Sequence, residues 1–154
     1  MLKKILIATD GSPSALRAVE LGLEVAEEEG AQPVFVHVAP TKDFLPVAGF
    51  GMAPVAVPHE LEEADRVPLD EATRIAEERG LETETKLLTG NPAREVVAYA
   101  DAIDADMIVL GSHGYGAISS VLLGSVSRGV LHGTTRPVLI VREVEVPVEA
   151  PVHA

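Results

Sequence analysis

The 154-residue chain is long enough for one domain with a substantial core, and 47 % of it is apolar. No apolar run approaches the ~20 residues that a membrane span requires, and the absence of cysteine excludes a disulfide frame and thiolate chemistry. The formal net charge of −12 disfavours nucleic acid and anionic lipid as partners, and any anion site has to be built locally against it. We therefore expect a cytoplasmic protein with no nucleic-acid or membrane partner.

Lys3 to Thr9 is a β-branched, apolar run and reads as strand one. It could pass for the start of a signal peptide, but Thr9-Asp10 cuts the apolar stretch short. Asp10-Gly11-Ser12-Pro13 follows: a turn glycine, a helix N-cap and a proline at the favoured first helical position. Leu16, Val19, Leu23 and Ala26 recur at helical spacing until Gly30 stops helix one. Pro33 to Ala39 is strand two, and two apolar strands joined by a helix imply a right-handed parallel unit.

Residues 40–58, rich in proline and glycine, read as a long loop that partly lids a site or packs on a partner, or else as a poorly ordered insertion. From His59 to Arg79 the pattern is helical with an acidic, solvated face, and Pro68 is expected to kink or restart the helix. Glu82 to Leu88 is strand three, and its charged first half suggests a sheet edge. Asn91 and Pro92 repeat the cap-and-proline device for helix three, whose inner face carries Val96, Val97 and Ala100. Strand four is Met107 to Leu110, helix four begins near Gly124-Ser125, and strand five is Pro137 to Val141. The tail 143–154 is expected to be disordered or paired with a partner. Five strands alternating with four helices specify a three-layer α/β/α sandwich around a parallel sheet.

The residues after strand four carry the chemistry. Gly111, Gly114, Gly124 and Ser125 form G-x2-G-x9-G-S on a strand-to-helix connection. Glycines admit close backbone approach to an oxyanion, and the next helix supplies free N–H groups and a positive dipole end. Ser125 and Ser127 can donate hydroxyls to phosphate, with Ser125 also a candidate helix cap. His113 reads as a solvent-facing loop histidine that could touch phosphate when protonated. Asp10 has two readings, an Asx-turn cap for helix one or a carboxylate near a ribose or a divalent metal. No GxxxxGK[ST], HExxH or metal-ligand histidine spacing is present, and Arg128 is the nearest cation to the glycine loop in sequence.

The G-x2-G-x9-G-S spacing, the opening KKILIATDGSPSALRAVELGLEVA and the closing GSVSRGVLHGTTRPVLIVR resemble the ATP-binding branch of the universal stress protein family. The resemblance spans about residues 3–142 and implies one domain over 1–142 with the 40–58 loop as an insertion and 143–154 as a tail. It implies strand order 3-2-1-4-5, the arrangement of adenine nucleotide alpha hydrolase-like and Rossmann-like folds. That order sets the switch point between strands one and four, with Asp10 facing the Gly111 loop. It implies adenine-nucleotide contacts at Ala8, Thr9, Asp10, Val38, Leu110, Gly111, Ser112, His113, Gly114, Gly124, Ser125, Val126 and Ser127. The ligand implied is ATP, or another adenine nucleotide, with Mg²⁺ near Asp10. It further implies a homodimer through the edge strand Val138, Leu139, Ile140 and Val141, and a regulator acting in stress response on an unknown protein partner. Two alternatives stand beside it: a weak ATPase or nucleotide-cleaving enzyme of the same fold, and a nucleotide-free dimer acting through protein partners.

Overall fold

The computed structural model describes residues 1–41, 60–114 and 123–143, with the backbone of 44, 45, 55 and 56. Strand β1 (Lys4–Ala8) leads into α1 (Pro13–Glu29), where the Ser12 hydroxyl accepts a hydrogen bond from the Ala15 amide at 3.4 Å. Gly30 closes α1 at φ 65°, a left-handed conformation that costs glycine little. Strand β2 (Gln32–Pro40) follows, then a two-residue antiparallel ribbon of β3 (Phe44–Leu45) and β4 (Val55–Ala56). The stretch read as one long loop thus holds a short ladder; the rest of it, and with it the lid reading, lies outside the described residues. So does the tail beyond 143.

The helical pattern read from His59 begins later. Glu63–Arg66 forms a 3-10 turn, and α2 runs Val67–Glu78 with Pro68 in its first turn. A proline has no N–H to donate and its ring blocks the preceding turn, so the helix starts there rather than running through it. Then come β5 (Glu84–Gly90), α3 (Pro92–Ala102) capped by the Asn91 side chain, β6 (Met107–Gly111), α4 (Ser125–Gly133) and β7 (Val138–Val141).

The main sheet has the order β5-β2-β1-β6-β7, and every pair in it is parallel. With the β3-β4 ribbon set aside, this is the expected 3-2-1-4-5. Side chains alternate across the sheet. Ile5, Ile7, Phe35 and Val109 pack with α1 and α2 through Val19, Leu23, Leu69 and Ala72. Leu6, Val34, Val36 and Ile108 pack with α3 and α4 through Val96, Ala100 and Val130. Three layers result, with the central strands β1, β2 and β6 buried on both faces and the first half of the edge strand β5 exposed. Among the described residues no helix is long and apolar enough to cross a membrane.

At the opposite end from the glycine loop, Asp106 ties two strands together. Its Oδ2 accepts the backbone N–H groups of Lys3 and Lys4 at 2.8 and 2.9 Å. Those bonds hold its carboxyl below the usual carboxylate range, with the charges of Lys3 and Arg136 adding to the effect. A carboxyl held acidic in the folded state contributes stability above its unfolded pKa and loses it as the pH falls towards the folded one. Asp106→Ala is therefore expected to melt at a lower temperature than the parent at neutral pH. Thermal melts across an acid series should show that difference shrinking as the pH drops below the carboxylate range.

Candidate functional site

A cavity of about 750 Å³ opens at the carboxyl ends of β1, β2 and β6, bounded by the starts of α3 and α4. It lies where the chain reverses its winding: β1 sends α1 to one face of the sheet and β6 sends α4 to the other. Adjacent parallel strands whose helices leave to opposite faces part at their carboxyl ends, which is why ligands of such sheets bind there. The volume suits a small organic ligand.

One end of the cavity is apolar. Ala8 of β1, Val36 and Val38 of β2, and Leu110 of β6 line it, with Pro92 and Val96 of α3. The other end is built from the glycine loop. A Cβ on Gly111 would stand 2.5 Å from the Ser14 hydroxyl and 2.7 Å from the Ser14 carbonyl carbon. A Cβ on Gly114 would collide with the Asp10 carboxylate, and one on Gly124 would lie 3.0 Å from the His113 Cα. The close approach that excludes side chains at Gly111 and Gly114 is thus made by the protein's own β1–α1 segment. Asp10 and the glycine loop do face each other across one crevice.

The hydroxyls divide into committed and available ones. Ser127, 1 % exposed, donates its hydroxyl to the carbonyls of Gly111 (2.7 Å) and Ser112 (3.1 Å). Sequence reasoning had it free for phosphate; the structure uses it to clip α4 to the end of β6. Ser125 is the first residue inside α4 and not its cap, because Gly124 takes the cap position and offers no side chain. Its side chain is exposed. The Gly124 amide donates to the Ser112 carbonyl at 2.8 Å, and the first bond within α4 runs from the Arg128 amide to the Gly124 carbonyl at 3.0 Å. The amides of Ser125, Val126 and Ser127 precede that bond, so they are the ones a helix start presents to an anion.

Ser112 is buried, and its hydroxyl pairs with His113 Nδ1 at 2.8 Å. The Ser14 hydroxyl donates to the His113 carbonyl. His113 is consequently half-buried on the cavity wall, not solvent-facing. Asp10 makes the Asx-turn: its Oδ1 accepts the Ser12 amide at 2.9 Å. The same residue also lines the cavity. Thr9 is buried, with its Oγ1 accepting the Gly11 amide at 3.2 Å. The Thr9 carbonyl can only accept, so the His37 Nδ1 that sits 2.8 Å away carries the proton.

All thirteen sequence candidates border the cavity except Ser112, whose contribution is to hold His113 and α4. The sequence reading missed Val36, His37, Pro40, Pro92 and Val96 as wall residues. Val36 is two residues before Val38 on one face of β2, and Pro92 and Val96 share one face of α3; those periodicities were visible, but not that α3 leans over the same crevice. Arg128, noted only as the nearest cation, is on the wall as well. Among the described residues no group of three His, Asp or Glu side chains converges on a metal position.

Comparisons with known proteins identify the family. The model of the universal stress protein family matches residues 1–142. A universal stress protein of Thermus aquaticus is 37 % identical over 92 % of this chain and 100 % of its own. A universal stress protein crystallised with cAMP is 27 % identical, covers 91 % of this chain and 96 % of its own, and superposes with a TM-score of 0.67. A universal stress protein from Archaeoglobus fulgidus in complex with dAMP is 25 % identical over 92 % of this chain and 98 % of its own, with a TM-score of 0.62.

Removing the Ser127 hydroxyl takes a donor from the Gly111 carbonyl and leaves the Ser112 carbonyl with the Gly124 amide. Ser127→Ala is expected to lower stability by about 1–3 kcal/mol, the cost of an unsatisfied buried polar group. Denaturant unfolding monitored by circular dichroism measures it.

Proposed function

The chain belongs to the universal stress protein family, and on that premise we propose that it is a cytoplasmic regulator that binds ATP, or another adenine nucleotide, in the cavity described above. The observation that carries the reading is the polarity of that cavity. An apolar slot between Val36, Val38 and Leu110 suits a flat base, and the start of α4 with its uncommitted amides suits phosphate at the other end. Ala8, Thr9 and Asp10 then border the sugar. That the structures of two similar proteins are complexes with cAMP and dAMP supports an adenine ligand.

Mg²⁺ is commonly held by one or two carboxylates together with substrate phosphates. Asp10 is the one carboxylate on the cavity wall among the described residues, and its position beside Gly114 fits that modest requirement. A bound Mg²⁺ would neutralise phosphate charge there. Around it, this chain's residues orient and bind: the glycine loop shapes the phosphate end, Ser127 holds α4 against β6, and the apolar slot excludes water from the base. No second carboxylate stands on the described wall to pair with Asp10 as acid and base. Binding parts without strong catalytic parts support a switch in stress response rather than a metabolic enzyme. The edge strand β7 presents Val138, Leu139 and Ile140 half-buried in the single chain; among the described residues no strand pairs with its outer side, and a second copy pairing there would extend the sheet.

Titration calorimetry on ligand-stripped protein tests the nucleotide reading. ATP, with and without Mg²⁺, is expected to bind the parent and to lose at least about tenfold in affinity on Gly114→Val, which places a branched side chain against Asp10 (tenfold being ~1.4 kcal/mol). A folded parent that binds no adenine nucleotide would sink it. For the assembly, light scattering should return twice the mass of one chain, and a monomer at micromolar concentration would count against the β7 pairing.

A further inference from the structure

Arg128 brings a positive charge to the wall of the cavity at the start of α4. It is the only Lys or Arg on the cavity wall among the described residues. It closes the first turn of α4, where the helix dipole disfavours a cation and favours an anion. Its side chain is exposed, and no hydrogen bond or ion pair engages its guanidinium among the described residues. Arg17, Arg74, Arg79 and Arg136 form ion pairs with nearby carboxylates, whereas Arg128, like Arg66, Arg94 and Arg142, forms none among the described residues, and of these four it alone lines the cavity. In a chain with 24 acidic and 12 basic residues, this arginine lines the cavity and forms no ion pair among the described residues.

We infer that Arg128 selects the nucleotide by the length of its phosphate chain. The inference rests on the nucleotide reading above and goes beyond it. The amides of Ser125, Val126 and Ser127 can serve the phosphate nearest the sugar, which every adenine nucleotide carries. Further phosphates extend towards the rim, where the chain's net charge of −12 opposes them and Arg128 is the cation that offsets it. A guanidinium offers a planar fork of donors matched to phosphate oxygens, which a lysine reproduces only as a point charge. Arg128 is thus a specificity residue for di- and triphosphates over monophosphates.

Calorimetric titration of the parent, Arg128→Gln and Arg128→Lys with ATP, ADP and AMP at fixed ionic strength decides the matter, with circular dichroism confirming that each variant is folded. The expected result is that the parent prefers ATP to AMP. Arg128→Gln should then weaken ATP about tenfold and AMP by less than about twofold, with Arg128→Lys between. Equal weakening of all three ligands would overturn the inference by making Arg128 a contact to the shared phosphate, and no weakening would make it a solvated surface cation. A parent that binds AMP and ATP equally tightly also overturns it while leaving the nucleotide reading intact. A parent that binds none of the three removes both.

Discussion

At Gly111 the end of β6 lies directly on the first turn of α1, with Ser14 and Ala15 so near that a single added carbon would meet their atoms at 2.5 to 2.8 Å. The rest of the site hangs on that contact. The Ser14 hydroxyl reaches over to the His113 carbonyl and fixes the path of the loop. Gly114 is then brought against Asp10, and Ser127 clips the start of α4 to the carbonyls of Gly111 and Ser112. Two strands whose helices leave to opposite faces would otherwise part freely at their carboxyl ends. Here they are held at a set spacing, and the cavity is the space they leave.

The same contact decides the electrostatics. The chain carries a net charge of −12 and places a carboxylate, Asp10, on the cavity wall. Long-range attraction cannot draw an anion to such a surface. What the site offers is short-ranged: oriented amides at a helix start, held by packing, with the Arg128 guanidinium the one cation on the wall among the described residues. Preorganised dipoles of this kind act within the first turn of a helix, so α4 has to be held against β6. The buried Ser127 hydroxyl does that holding, and its position inside the glycine–serine motif follows from it.

Much of the fold was legible because its devices are local. Ser12-Pro13 and Asn91-Pro92 cap and start helices through bonds that span three residues, and the structure shows both side chains accepting as read. The apolar runs that became β1, β2 and β6 are buried on both faces, and the charged half of the third main strand did mark an edge. Pro68 marks a restart, one of the two outcomes its position allows: a 3-10 turn ends at Arg66 and α2 starts at Val67 with the proline in its first turn. The ribbon of β3 and β4 is two residues per strand, too short for a period-2 pattern to register.

In the site, the sequence by itself determined where glycine, serine and aspartate would gather, since the end of a parallel strand and the start of the next helix are set by local pattern. Only the tertiary structure decided what each of them does. Ser127 and Ser125 look alike in GSVS, yet one is buried and bonded to β6 while the other is the exposed first residue of α4. His113 and Arg128 are joined to the cavity by the way α4 docks, and Pro92 and Val96 by the way α3 does. Residue type limits which bonds a side chain can make. Which partner it meets depends on contacts between elements tens of residues apart, and those exist only once the sheet has brought β1 and β6 side by side.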